Sequence, residues 1–369
     1  MRIVYVLTSL GMGGAERQVL AIAARMADRG HSVALLVLRP QLKNEWPTAL
    51  SCVHLDMRRN PLRFIYGLAR GRRFLREFRP DLVHSHSFHA NFVARLLKVL
   101  VPAPAVLCTV HNVYEGGRHR MLAYRLTDFL SRRTTAVSAV AAERFVRLKA
   151  VPQSKCLVVT NGIDTAEFFP HADRRAQMRD QMGVTTEFIW LTAGRIVPAK
   201  DFPNLMRAFE IVQAAHPDAQ LWIAGQAVNE DLKPVGVFAV AGRKDTMDRV
   251  RWLGLRRDLP ALLDAADGFV LASAWEGMPL VLGEAMAMEK PVVATDVGGV
   301  RELVGDTGAI VPPKNPDALA AAMLEMMQRT EVDRRAQGRA ARARIEADFT
   351  VDARTDEWES LYLRLSRRA

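Results

Sequence analysis

Residues 276–284 read Glu-Gly-Met-Pro-Leu-Val-Leu-Gly-Glu, with two carboxylates eight positions apart around a proline that suits the first turn of a helix. Glu276 then falls on the loop before that helix and Glu284 on its body, so the two are not a paired acid and base. Ionised carboxylates only accept hydrogen bonds, which fits them to hold sugar and ribose hydroxyls, and the helix N-terminus between them favours a phosphate. A lone glutamate on a helix is ordinarily a solvated one, so the spacing matters more than either residue. A second stretch, Ala-Gly-Arg-Ile-Val-Pro-Ala-Lys-Asp at 193–201, follows an apolar strand and precedes a helix. Arg195 can fork onto phosphate oxygens and Lys200 adds a mobile point charge, at the sheet edge where such folds bind ligands. Taken alone, surface salt bridges would account for the same two cations.

A third stretch, Leu-Gly-Met-Gly-Gly-Ala-Glu at 10–16, lets the backbone approach a ligand at Gly13 and Gly14 and presents unpaired N–H groups from the next helix. It reads equally well as a tight turn. A dinucleotide site is not supported, because the second strand ends Leu38-Arg39-Pro40 with no acid for a ribose hydroxyl. His84, His86 and His89 invite a metal reading. We expect no metal there, on the view that His84 and His86 alternate along a strand edge and point to opposite faces.

The elements that position these residues alternate between β-branched apolar runs and helical patterns. Strands are expected at Arg2 to Leu7, Ser32 to Leu38, Leu82 to His84, Ala105 to Val110, Ala136 to Val137 and Cys156 to Val159. The pattern restarts after Pro170, with strands at Phe188 to Thr192, Leu221 to Ala224, Val250 to Leu253, Gly268 to Leu271, Pro291 to Thr295 and Ala309 to Val311. Runs such as Val-Ala-Leu-Leu-Val-Leu, apolar on both faces, suit parallel sheets covered by helices such as Glu16 to Arg29. The fold class is therefore α/β, with two Rossmann-like, doubly wound domains. The last stretch, Val351 to Arg368, spaces Trp358, Leu361, Tyr362 and Leu365 as an amphipathic helix.

At 369 residues, two domains are the natural size, and a chain nearly half apolar and one quarter charged has an ordinary globular composition. The apolar N-terminal run, Ile3 to Leu7, is too short for a signal core or a span, so a cytoplasmic protein is expected. Cys52, Cys108 and Cys156 show no pairing or zinc pattern and read as small buried hydrophobes. Charge is divided unevenly. Residues 1–165 hold 25 basic and 10 acidic side chains, a net of +15, and the remainder holds 26 and 30, a net of −4. The first half therefore faces something anionic, lipid or nucleic acid.

Together these residues resemble the retaining family-4 glycosyltransferases of the GT-B fold. The resemblance rests on Gly-Gly-x-Glu at 13–16, Arg195 with Lys200, and the E-x7-E element. It extends through Arg-Pro-Asp-Leu-Val-His-Ser-His at 79–86, Val-His-Asn at 110–112, Val137-Ser138, and Asn-Gly-Ile-Asp at 161–164 with Phe168. It implies an N-terminal acceptor-side domain of residues 1–165 plus about 350–369, a donor-binding domain of 166–349, and a central cleft between them. It also implies that Arg195 and Lys200 bind the diphosphate of a nucleotide sugar, by default a UDP-sugar. Glu276 would grip the transferred sugar and Glu284 the ribose, with Gly277, Met278 and Leu280 completing the donor site. His111 matches the family's active-site histidine, and Gly13 and Gly14 would lie against the diphosphate. His111, Arg195, Lys200 and Glu276 are thus the implied catalytic set, with no cofactor and no metal, and the chain has no Asp-x-Asp signature. The front-face reaction implied uses the departing diphosphate to help deprotonate the acceptor while the two cations stabilise the growing charge. One departure stands out: after Ala224-Gly225 the family usually continues with an acid, glycine and proline, and this chain has Gln226-Ala227-Val228-Asn229. The conformation of 226–248 stays open.

Arg58 to Arg79 interleaves basic residues with Phe64, Ile65, Leu68, Phe74, Leu75 and Phe78. It reads either as a helix at an anionic membrane interface, with a lipid-linked or saccharide acceptor and a peripheral place on the inner face of the cell membrane, or as a covering helix with a solvated basic face. Arg118, Arg120, Arg125, Arg132 and Arg133 extend the basic character. A nucleotide-sugar epimerase of the same architecture and a non-catalytic membrane-binding scaffold are the alternatives. No nucleic-acid motif accompanies the charge, and no nucleic-acid partner is expected.

Overall fold

Two wholly parallel sheets, of seven and six strands, organise the chain in the computed structural model, which describes residues 1–11, 13–41, 48–57, 60–101, 104–226 and 248–366. Arg58, Arg59 and nearly all of the segment left open in the sequence reading, 227–247, lie outside the described residues. Two units result: residues 1–162 with 351–369, and residues 163–350.

The first unit runs β1 (Arg2–Leu7), α1 (Gly14–Asp28), β2 (Ser32–Val37), β3 (Ser51–His54), α2 (Pro61–Phe78), β4 (Leu82–His86), α3 (Ser87–Leu100), β5 (Ala105–Val110), α4 (Arg118–Thr127), β6 (Arg133–Ala136), α5 (Ala139–Arg147) and β7 (Cys156–Val158). Its strand order is β3-β2-β1-β4-β5-β6-β7. The period-two alternation of side chains divides the core in two. Ile3, Tyr5, Leu7, Leu35 and Leu107 pack with α1 and with Trp358, Leu361 and Tyr362 of the chain's last helix, Val351–Ser366. Val4, Val6, Leu36, Val83 and Val106 pack on the other face against Leu75 of α2 and Ala90, Val93 and Leu97 of α3.

The second unit runs α6 (Ala172–Gln181), β8 (Ile189–Ala193), α7 (Phe202–Ala215), β9 (Gln220–Ala224), β10 (Val250–Gly254), α8 (Leu259–Ala265), β11 (Gly268–Leu271), α9 (Leu280–Ala287), β12 (Val292–Thr295), α10 (Val300–Val304), β13 (Ala309–Val311), α11 (Pro316–Gln328) and α12 (Glu331–Asp348). The last helix, Val351–Ser366, is α13. The strand order is β10-β9-β8-β11-β12-β13, and Trp190, Leu221, Ile223, Val270 and Val293 bury one face under α7 and α11.

Two strands differ from the sequence expectation. β3 was not anticipated, because Ser51-Cys52-Val53-His54 is a half-buried edge strand with no long apolar run. β6 lies at Arg133–Ala136, earlier than Ala136 to Val137, because Thr134 and Thr135 are fully buried strand residues. The Thr135 hydroxyl is satisfied by Thr109 Oγ1 at 2.6 Å, which allows a polar residue in the core.

Candidate active site

In the second sheet β8 neighbours β11, although β9 and β10 intervene in sequence, so the winding reverses between them. A doubly wound sheet opens a crevice beyond its strand C-termini at such a point. The loop after β8 carries Arg195 and Lys200, and the loop after β11 carries Ser273, Glu276 and Gly277. Lys200 ends a 3-10 turn at 198–200, and its Nζ lies 2.7 Å from Glu276 Oε1. The Ser273 hydroxyl donates to the same oxygen at 2.6 Å, so among the described residues Glu276 Oε2 is left open. Gly298, at φ 56°, crosses this backbone so closely that a Cβ there would stand 2.2 Å from the Glu276 carbonyl oxygen. Arg195 is exposed and makes no ion pair among the described residues.

The helix after this loop, α9, begins at Leu280 with Pro279 as its N-cap. Met278 and Leu280 are buried, and Glu284, the sole charged residue of α9, is only 5% exposed. A carboxylate so placed is not one of a solvated helix face. Its acceptor-only oxygens sit on the helix that follows the Glu276 loop, which keeps it a candidate ligand contact.

In the first sheet the winding reverses between β1 and β4. His84 and His86 lie at the C-terminal end of β4, and His111 follows β5. The expectation that His84 and His86 point to opposite faces is wrong: residues two apart on a strand share a face. Their ring centroids are 4.0 Å apart, and both line one small cavity with Tyr5, Trp358, Tyr362 and His111. His84 Nδ1 meets the Tyr362 hydroxyl and Nε2 the Thr109 hydroxyl, each at 2.7 Å, and His86 Nδ1 meets His111 Nε2 at 2.9 Å. Burial pushes His84 and His86 well below the usual imidazole range and brings His111 down to about 4, so all three are neutral near pH 7. His89 is exposed at the start of α3. Among the described residues no group of three or more His, Cys, Asp or Glu is arranged to hold a metal ion.

Glu115 was missed in the sequence. It accepts the His111 backbone N–H at 3.0 Å and the Tyr124 hydroxyl at 2.7 Å, and burial pushes its carboxyl up to about 7. Ser273, which steers Glu276, was missed as well; for both, the only signal was proximity in sequence to a residue already singled out. Gly13 is the N-cap of α1 and Gly14 its first residue, and a Cβ on Gly13 would stand 2.2 Å from Glu16 Oε2. The Glu16 carboxylate thus lies in the first turn, where it complements the helix dipole.

Residues 12–167 match the family model Glycosyltransferase Family 4, and residues 187–329 match the model Glycosyl transferases group 1. The chain belongs to the family-4 glycosyltransferases. This glycosyltransferase is 24% identical over 315 residues to the UDP-Gal:alpha-D-GlcNAc-diphosphoundecaprenol alpha-1,3-galactosyltransferase of Escherichia coli, covering 79% of this chain and 77% of that protein. It is 29% identical over 310 residues to a glycogen synthase of Mycobacterium tuberculosis, covering 79% and 70%. The crystal structure of Anabaena HepE in complex with UDP and glucose superposes with a TM-score of 0.85 at 20% identity, covering 98% of this chain and 99% of the other. That likeness establishes the fold: two Rossmann-like domains of the GT-B class.

Proposed function

We propose that this glycosyltransferase moves a hexosyl group from a UDP-sugar to a hydroxyl of a lipid-linked acceptor, with retention at the anomeric carbon and without a metal ion. The observation that carries the donor reading is the pairing of Lys200 with Glu276 beside the exposed Arg195 at the switch point of the second sheet. Two cations there meet a diphosphate, Glu276 Oε2 accepts from a hydroxyl of the transferred sugar, and buried Glu284 accepts from the ribose. As the bond from the anomeric carbon to the diphosphate oxygen breaks, the acceptor oxygen bonds that carbon from the same face and passes its proton to the departing diphosphate. Arg195 and Lys200 stabilise the charge that develops on the leaving group. Neutral His111 offers hydrogen bonding near the sugar without adding a charge.

The acceptor reading rests on the first unit. α2 packs inward through Gly67, Gly71 and Leu75, and leaves Leu62, Ile65 and Tyr66 exposed at 77, 62 and 56% beside the basic residues Arg63, Arg70, Arg72, Arg73 and Arg76. On α4 and just after it, Leu122, Leu126 and Phe129 are exposed near Arg118 and Arg125. Apolar tips among cations suit the interface of an anionic bilayer. The E. coli relative is named for a diphosphoundecaprenol-linked acceptor, which supports the same direction. No helix among the described residues is long and apolar enough to cross a membrane.

The test supplies labelled UDP-hexoses and a polyprenyl-diphosphate sugar in anionic vesicles with chelator present, and reads the product by NMR. An α-linked product from an α-linked donor supports the proposal, and a β-linked product would contradict retention. An isomerised nucleotide sugar with no transfer would favour the epimerase.

A further inference from the structure

The turn that carries His111 closes over a carboxylate of its own, Glu115. We propose that Glu115 is a positioning residue for the transfer step, its side chain clamping the β5–α4 turn so that His111 is fixed in place. The proposal rests on His111 standing at the reacting centre, as in the function proposed above.

The turn reads His-Asn-Val-Tyr-Glu-Gly-Gly from residue 111 to 117, and Glu115 folds back beneath it. Its Oε1 takes the His111 backbone N–H and its Oε2 the Tyr124 hydroxyl, and the Phe88 backbone N–H is directed at the same carboxylate. The turn is closed behind it by Gly116 at φ 116°, a conformation side chains rarely adopt, and a Cβ there would stand 2.4 Å from Arg120 Cδ. Arg120 Nη1 donates to the Glu115 carbonyl oxygen at 2.8 Å.

The far end of the clamp is anchored in the sheet. Asn91 Nδ2 donates to the Tyr124 hydroxyl at 2.9 Å and to the Thr109 carbonyl, and Asn91 Oδ1 accepts the Ser85 hydroxyl at 2.7 Å. Arg95 lies over the Tyr124 ring and donates to its carbonyl. A continuous chain of hydrogen bonds therefore runs from Ser85 of β4 through Asn91, Tyr124 and Glu115 to the main chain of His111. No solvated surface glutamate needs such an arrangement.

Each hydrogen-bonding group directed at the carboxylate donates, so the site is built for the ionised, acceptor-only form. Burial opposes this and raises the carboxyl to about 7, which places both forms near neutrality. The titratable and charged groups facing the clamp are Arg120 and Tyr124 of α4, His111 with His86 behind it, and Cys108 of β5 and Arg95 of α3 against Tyr124. Protonation brings a hydrogen among neighbours that already donate, so at least one bond is given up and the hold on His111 loosens.

The full chain, labelled with 15N at histidine and with His111 assigned through His111→Ala, provides the test. The His111 amide of the wild type should titrate with a midpoint near 7 and lose that step in Glu115→Gln. Turnover in Glu115→Gln should fall about 10- to 100-fold, the scale of a misplaced catalytic group, with the donor KM nearly unchanged and part of the rate restored in Glu115→Asp. A wild-type amide that does not titrate, or turnover unchanged in a folded Glu115→Gln, would overturn the clamp. An amide that titrates in a protein with no transferase activity would leave the clamp standing and remove the functional proposal instead.

Discussion

In the second unit Lys200 and Glu276 meet at 2.7 Å beside an exposed arginine, whereas in the first unit three imidazoles sit together, His84 and His86 buried and His111 half-buried, all uncharged near pH 7. Both groups lie where the winding of a parallel sheet reverses, so the fold presents the same crevice twice. What differs is the pairing of the groups. In the second unit a cation and a carboxylate pair with one another and can exchange that contact for a ligand. Burial in the first unit removes charge from imidazole and leaves geometry as its contribution, set by neighbours such as Glu115. One region is suited to hold an anion and the other to orient a neutral group.

The largest test of that contrast is the pH dependence of stability. The Glu115 carboxyl, raised from 4.5 to about 7 by burial, favours the fold when protonated. Its contribution is complete below about 4.5 and is lost as pH rises through about 7. Glu115→Gln should therefore gain on the wild type across that window, by about 3 kcal/mol at its upper end, in denaturant titrations at stepped pH. His111 has the opposite sign. Lowered to about 4, it contributes stability that is present above about 6.5 and lost as pH falls toward 4. Curves for wild type and Glu115→Gln that stay parallel from pH 4.5 to 8 would show that the first unit does not neutralise its carboxyl by burial.

On the charged side, Lys200→Ala removes a cation from a diphosphate and leaves Glu276 with the Ser273 hydroxyl but without its cation. Donor affinity should fall by about 2 to 3 kcal/mol, read by calorimetry. An unchanged Kd would remove Lys200 from the donor site. Glu284→Ala should cost roughly 1 to 3 kcal/mol of the same affinity, the scale of a hydrogen bond to a charged group, and a nucleotide lacking the ribose hydroxyls should erase the difference. The smallest effect is expected at the surface of α2. Serine in place of Leu62, Ile65 or Tyr66 should weaken binding to anionic vesicles by about 1 kcal/mol each with an unaltered melting temperature, and equal binding would return α2 to an ordinary covering helix.

The contrast also explains what was legible in the sequence. β2 was readable because a strand covered on both faces is a continuous apolar run, and β11 for the same reason. β3 was not, because an edge strand needs no such run, and β6 hid behind threonines whose hydroxyls are satisfied in the core. Lys200 and Glu276 were readable as types suited to phosphate and sugar. Their contact was not, since it depends on β8 and β11 becoming neighbours across an intervening stretch of about seventy residues. The histidines were misjudged by an error of strand periodicity rather than for want of signal. Glu115 carried no signal beyond its nearness to His111: a glutamate before two glycines resembles a solvated loop residue, and the packing of Tyr124 and Arg120 around it is what encloses it.

The most direct test of the central claim, that the second unit holds a nucleotide sugar by side-chain charge alone, is calorimetric titration of the wild-type protein with UDP, GDP, ADP and their sugar conjugates in excess chelator. The account predicts saturable binding of the UDP series under these conditions. Binding that appears only when a divalent metal is restored, or no binding by any of the three series, would contradict it.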